Sequence, residues 1–326
     1  MTSLRILLGV LCLSLLGSCS SIDMANENHV INWGDSFSKF WPKAKGKSFT
    51  EQLALWNEVV EAPHSVFYSQ VIWRHNELKD ADERKVKRLK SIFTDYIKNS
   101  AEIQSNFSNF NLTLETEIKR FKNAFPSTHF KRPIMAVLAP TFNGKSDSYK
   151  DNGEIHFLAF GIDTLTIRHD NPDVLYSHEL FHLYHGESSG INDDGAGVDA
   201  LLIDSLWAEG LATYVSKELN PSANMDSIFM DSELAGLSEN RLKDLALRFI
   251  KIKTVKVSSK IDPEIYGQWF LMNRHLTAET PSRVGYFLGY YVAKILRETN
   301  NLDEMAHWPT AEARKNVASA LEVLSR

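Results

Sequence analysis

The residues best equipped for chemistry lie in one run, Asn171-Pro-Asp-Val-Leu-Tyr-Ser-His-Glu-Leu-Phe-His-Leu-Tyr-His185. It holds His178 and His182 four positions apart, with Glu179 directly after the first, an H-E-x-x-H arrangement. On a helix, side chains four apart stack on one face, so both imidazoles can reach one metal ion at about 2 Å. Neutral imidazole suits zinc. Glu179 sits at the edge of that face, too close to share the ion but placed to take a proton from a water beside it. A solvated helix with two incidental histidines is the competing reading. Leu175, Leu180, Phe181 and Leu183 argue against it, because they give the helix apolar flanks.

A second carboxylate, Glu209, follows His182 by twenty-seven positions among Leu206, Trp207, Leu211 and Ala212. A carboxylate in such company needs a counter-charge, which a metal supplies; a glutamate on a helix surface is the alternative. Gly210 beside it costs about 1 kcal/mol in a helix interior, which points to a close backbone approach there. His185 is a rival donor. Seven residues rise about 10 Å along a helix axis, so three side chains of one straight helix do not converge on one ion, and His185 is expected to support the site or the core. Near the C-terminus, Tyr286 and Gly289 form Y-x-x-G at the start of an expected helix. A tyrosine hydroxyl there could donate to a developing oxyanion, with Tyr290 as the alternate and plain packing as the competing reading for both.

These groups need a scaffold. From Phe49 to about Phe125 the pattern is helical, with Leu53, Trp56, Val59 and Val60, and then Leu89, Ile92, Phe93, Tyr96 and Ile97, at three- and four-residue spacing. Pro63 and the Asn/Ser cluster at 99–111 are expected to punctuate it. Trp33, Trp41, Trp56 and Trp73 read as helical core rather than as the lining of a substrate groove. Pro133–Pro140 reads as a buried strand, 143–153 as a loop, and Glu154–Phe160 as a second strand. After Pro172 the chain reads as helical to its end, broken at 188–198, at 220–224 and near Pro263 and Pro281. The expected fold class is α+β, mostly helical: a catalytic domain over 129–326 with a small sheet and an active-site helix, preceded by a helical region over 33–128.

The 326 residues are 43% hydrophobic and 24% charged with a net charge of -5, which allows a full core and gives no basic footprint for nucleic acid. Arg5 precedes the apolar run Ile6–Leu16, which falls short of the roughly 20 residues a bilayer span needs. The run ends in Leu16-Gly17-Ser18-Cys19, which resembles the bacterial lipobox. That resemblance implies removal of residues 1–18, a lipid on Cys19, a tether over 19–32 and a place in the cell envelope. Ser20, where an Asp would retain the protein at the inner membrane, points to the outer one. An ordinary secretory signal is the competing reading. The only other cysteine, Cys12, lies in the removed segment, so the mature chain has no pair for a disulfide.

At its motifs the sequence resembles a zincin of the gluzincin branch. It is similar to a bacterial family of predicted zinc-dependent proteases that shares E-G-x-A-x-Y (here Glu209 to Tyr214) and G-Y-x-x-G-Y (here Gly285 to Tyr290), over roughly residues 130 to 300. The resemblance implies a single Zn2+ held by His178, His182 and Glu209. It makes Glu179 the general base toward a zinc-activated water and Tyr286 a transition-state donor, and leaves Thr213, His185 and Tyr290 as supporting side chains. The substrate would be a peptide or protein, reached from a membrane anchor; the strand at 154–160 could pair with it if it were an edge strand.

The sequence also departs from relatives of that branch. No G-x-M-E-N amine-binding strand is present, with Glu154 and Asp163 as weak substitutes. The N-E-x-x-S-D pattern is missing too: Ala208 precedes the glutamate and Thr213 stands four after it, leaving Asp204 as the nearest carboxylate on the segment. Two other readings stay open, a zinc-binding lipoprotein without peptidase activity and a zinc hydrolase acting on a non-peptide substrate. A closed structural site would need four ligands, usually with Cys, and no Cys is available for one.

Overall fold

The structure, a computed structural model, describes residues 30–189, 199–257 and 263–326. The expected signal segment, Cys19 and most of the expected tether lie outside the described residues.

Four strands form one sheet in the order β1-β2-β4-β3: β1 Val30–Asn32, β2 Ile134–Val137, β3 Gly144–Lys150 and β4 Glu154–Gly161. β1 runs parallel to β2, β2 parallel to β4, and β3 antiparallel to β4. The Ile-Met-Ala-Val of β2 is buried throughout, as a strand covered on both faces requires.

Two strands were not expected. Val30–Asn32 pairs with β2 where the tether was expected to run on, and Gly144–Lys150 is a strand where a loop was expected. Both join the sheet through backbone hydrogen bonds, which leave no mark in an apolar pattern. Asp151, Asn152 and Gly153 close the β3–β4 hairpin, with Asn152 at φ 52 and Gly153 at φ 144. That Asn-Gly pair was the legible hairpin signal. The same hairpin overturns the idea that residues 154–160 form an edge. β4 has β2 on one side and β3 on the other, so β3 is the edge strand.

A 44-residue helix, Ala81–Ala124, runs straight through the Asn/Ser cluster that was expected to break it. Ile103, Phe107, Phe110 and Leu114 keep one continuous buried stripe. The polar residues bond back into their own helix instead, Asn99 to the Asp95 carbonyl at 2.9 Å and Ser108 to that of Gln104 at 2.9 Å. Before this long helix the chain is broken into Gly34–Ala44, Phe49–Trp56 and wide turns at Asn57–Glu61 and Tyr68–Ile72 around Pro63. Trp41, Trp56 and Trp73 are buried in this layer, and the indoles of Trp56 and Trp73 both donate to Glu61 Oε1, at 2.6 and 2.8 Å. Trp33 is half-buried and stacks on His64 at 3.6 Å. The tryptophans therefore form core. Asp163, fully buried, accepts from the Tyr96 hydroxyl at 2.7 Å and the Ala139 amide at 2.7 Å, which pins the long helix to the end of β2.

The second half supplies the remaining layer. A motif helix spans Pro172–Ser189, a glutamate helix Leu202–Leu219 and a tyrosine helix Val284–Arg297. Asn171 Oδ1 accepts the Asp173 amide at 3.0 Å and caps the motif helix. Asp204 caps the glutamate helix by accepting the Leu201 amide at 2.7 Å. Residues 202–216 of the glutamate helix are buried all round, so it is packed between neighbours on every side. The architecture is α+β and mostly helical.

Candidate metal centre

The motif helix is buried over most of its circumference, between the long helix and the glutamate helix. Its pattern follows from that setting, because only Glu179 among residues 174–185 is partly exposed. His178 and His182 turn their rings toward each other with Nε2 atoms 3.0 Å apart. Glu209 enters from the glutamate helix, and its Oε2 lies 3.4 Å from each of those two nitrogens. The three side chains are buried, and among the described residues they are the group whose donor atoms gather closely enough to hold a metal ion.

These donors fit zinc. Ligands about 2.0–2.1 Å from a tetrahedral ion stand about 3.4 Å from one another, the spacing of Glu209 Oε2 from both rings. Glu209 Oε2 and His178 Nδ1 are buried without a hydrogen-bond partner. A carboxylate oxygen so placed is costly unless a cation meets it. Burial, with smaller pushes from His182 and Arg283, lowers His178 to about 4 and keeps its imidazole neutral. Burial works the other way on Glu209, but the attraction of His182 and His178 outweighs it and holds the carboxyl well below its ordinary range. Two imidazoles and one carboxylate are a donor set for a divalent cation.

Glu179 does not join the donors. It lines the same cleft, of about 210 Å³, with the three ligand candidates, Tyr286 and the start of β3, Gly144 to Ser146. Its carboxylate rests against bare backbone: a side-chain carbon on Gly144 would lie 2.6 Å from Glu179 Oε1. The glycine at the first position of β3 is what lets that carboxylate lie there. Sequence reading missed this strand as part of the site, since Gly-Lys-Ser-Asp-Ser carries no apolar alternation.

Tyr286 is brought to the cleft by a helix crossing. The glutamate and tyrosine helices meet at Gly210 and Gly289, and the Tyr286 ring lies 6.2 Å from the His178 ring and nearly parallel to it. Burial first, and then the negative charge of Glu209, push the Tyr286 phenol well above its ordinary range, so it stays protonated and can donate.

The other sequence candidates fall elsewhere. Thr213 donates to the Glu209 backbone carbonyl at 2.7 Å, one turn back on its own helix, and orients no ring. Tyr290 packs on Tyr214 and Phe229 at 5.4 and 5.5 Å, away from the cleft. His185 is buried against Phe181 at 5.3 Å, and burial pushes it to about 3; it is a core side chain. Asp204 pairs with Arg314 at 2.6 Å. Glu154 accepts from Ser148 at 3.0 Å on the sheet surface, and Asp163 is the buried pin described above.

One supporting network was not anticipated. Glu117 of the long helix accepts from the hydroxyl of Ser177, the residue before His178, at 3.1 Å. Asn220, at the end of the glutamate helix, donates to the same hydroxyl at 3.0 Å, and Arg120 bonds both Glu117 and Asn220. The long helix thus holds both ligand-bearing helices.

Residues 54–311 match a family model described as "Putative zinc dependent peptidase (DUF5700)". The match begins inside the N-terminal helical region, well before residue 130. No curated protein and no solved structure matches the chain.

Proposed function

The chain belongs to this zinc-dependent peptidase family, matched over most of its length, and on that footing we propose that it hydrolyses peptide bonds at the His178, His182 and Glu209 centre with Glu179 as general base. The observation that carries the reading is the convergence of three buried donors beside a fourth group, Glu179, that faces their open cleft without joining them. A purely structural zinc would be closed by four protein ligands; here three donors converge and the remaining side opens into the cleft.

A bound zinc ion would polarise the scissile carbonyl and make an attacking water acidic enough to lose its proton near neutral pH. His178, His182 and Glu209 would hold it. Glu179 takes the proton of the attacking water on its carboxylate and hands it to the leaving amine. Tyr286 keeps its phenolic proton and donates it, as a hydrogen bond, to the oxyanion. β3 is the edge strand beside the centre and the place where an extended peptide would pair. This division of roles is the gluzincin one.

We propose also that the chain is held to a bacterial envelope membrane, the outer one, by a lipid on Cys19, on the strength of Leu16-Gly17-Ser18-Cys19. No described helix is long and apolar enough to cross a membrane. Mass spectrometry of the N-terminal peptide from membrane fractions tests the lipid. For the activity, the test is metal analysis of purified protein together with cleavage of unfolded protein substrates. One zinc per chain and loss of cleavage on chelation, restored by zinc, are expected; cleavage indifferent to chelator would overturn the reading.

A further inference from the structure

Beside the metal cleft lies a second cavity of about 190 Å³ that shares Gly144, His178, Glu179 and Tyr286 with it. Leu175, Met230, Phe270 and Met272 give part of its lining an apolar character. At its inner wall stands Arg283, only 8% exposed. Its backbone is left-handed at φ 61, where a side chain is strained and glycine is the usual occupant. The guanidinium carbon lies over the Tyr286 ring, 4.0 Å from its centre, and Nη1 donates to the Phe229 carbonyl at 3.2 Å. Among the described residues no carboxylate stands in ion-pair contact with it. Asp170 feels its charge but is held by Arg168 at 3.2 Å and Asn143 at 2.8 Å. Arg168 also lines the cavity, and Glu179 is the one acidic group there.

Apart from Nη1, the donors of this mostly buried guanidinium are not sealed in the core but open to the cavity it lines, where an anion can reach them. Arg283 is held by the Tyr286 ring and the Phe229 carbonyl, and a guanidinium is a planar fork that a carboxylate fits with two parallel hydrogen bonds. The guanidinium lies 4.0 Å and the His178 ring 6.2 Å from the same Tyr286 ring, a span that two or three residues of extended peptide cover at about 3.3 Å each. Leu271 and Met272, both close to half-exposed, add an apolar lip at the mouth.

We propose that this cavity is the specificity subsite of the enzyme, and that Arg283 receives a carboxylate of the substrate there. The carboxylate is an Asp or Glu side chain next to the scissile bond or the free C-terminus of the peptide. The assignment rests on the peptidase reading above.

Its test uses zinc-loaded full-length protein on matched peptides. One arm exchanges Asp and Glu for Asn and Gln at each position flanking the cut, and the other exchanges a free C-terminus for an amide. In one of the arms the acid form should be preferred by about ten- to a hundredfold in kcat/KM, the range for hydrogen bonds to a charged group. Arg283→Gln should collapse that ratio toward one, and Arg283→Lys should keep part of it. The arm that shows the preference identifies the source of the carboxylate. Peptides cleaved with no acid preference in either arm, or a preference untouched in both variants, would overturn the subsite. Calorimetric binding of the same peptides to Glu179→Gln separates the two readings. Acid-selective binding that Arg283→Gln abolishes, with no cleavage by the parent, sinks the peptidase and keeps the subsite. Cleavage by the parent with acid-indifferent binding does the reverse.

Discussion

Gly210 and Gly289 touch backbone to backbone: a side-chain carbon on Gly210 would lie 2.3 Å from the Gly289 carbonyl carbon, and one on Gly289 would lie 2.5 Å from the Leu206 carbonyl oxygen. This contact explains a glycine in each of two distant motifs. Glu209 precedes the first and Tyr286 lies one turn before the second, so the closeness of the two helices sets the distance between a ligand and a donor.

Gly210→Ala should therefore act on the centre without touching it. Backbone cannot yield as a side-chain tip can, so the helices must part; overpacking of this kind costs about 1–3 kcal/mol. We expect a melting temperature lower by several degrees and zinc affinity reduced at least tenfold. Metal titration against a chromophoric chelator checks it, and unchanged affinity would show that the crossing does not set the site.

Glu179→Gln should reduce hydrolysis at least a thousandfold while one zinc per chain stays bound. Gly144→Ala should imitate it in milder form, since the added methyl occupies the place of the Glu179 carboxylate. A loss of about tenfold or more in kcat with full metal content is expected. Paired metal analysis and kinetics decide, and a variant that drops its zinc would move Glu179 from base to ligand support.

Tyr286→Phe should lower kcat by about ten- to a thousandfold with KM nearly unchanged, as expected for a donor used in the transition state. A variant with wild-type kcat removes Tyr286 from the chemistry.

Alanine at His178, His182 or Glu209 should abolish zinc binding, and chelation should lower the melting temperature of the wild type but not of these variants. A ligand present at a hundred times its dissociation constant stabilises by about 2.7 kcal/mol. Identical melts with and without chelator would contradict the assignment.

Glu117 gives a pH signature of stability. Burial first, then Asp173, raise its carboxyl to about 7 against the pull of Arg120, from an ordinary 4.5. Between those values the folded state holds a proton that the unfolded chain has released. The contribution is thus complete below about pH 4.5 and is lost as pH rises through 7, by at most about 3 kcal/mol. Glu117→Gln should flatten the fall in melting temperature between pH 5 and 8; parallel curves for variant and wild type would refute it.

The metal donors were legible because their spacing is local: His178 and His182 share a helix face by arithmetic, and Glu209 stood out as a charge among apolar neighbours. The α+β class and the buried strand at β2 followed from composition and pattern alone. What escaped were features made by backbone or by distance. β1 and β3 are held by ladder hydrogen bonds with no apolar code, and β4 then looked like an edge. The Asn/Ser run inside the long helix resembled a break because propensity was weighed without the buried stripe of Ile103, Phe107 and Phe110. Thr213 and Tyr290 share the helix faces of Glu209 and Tyr286, but each stands one turn, about 6 Å, further along; there Thr213 bonds its own helix and Tyr290 packs on Tyr214 and Phe229. The Glu117, Ser177 and Asn220 network joins three segments across more than a hundred positions and leaves no local trace.

Ser177 is clasped from the long helix on one side and from Asn220 on the other, one residue ahead of the first imidazole. The amino-terminal layer is consequently part of the body that seats the candidate centre rather than an appendage to it. Excising that layer removes the anvil on which the motif helix is seated, so no smaller autonomous core is to be sought by truncation.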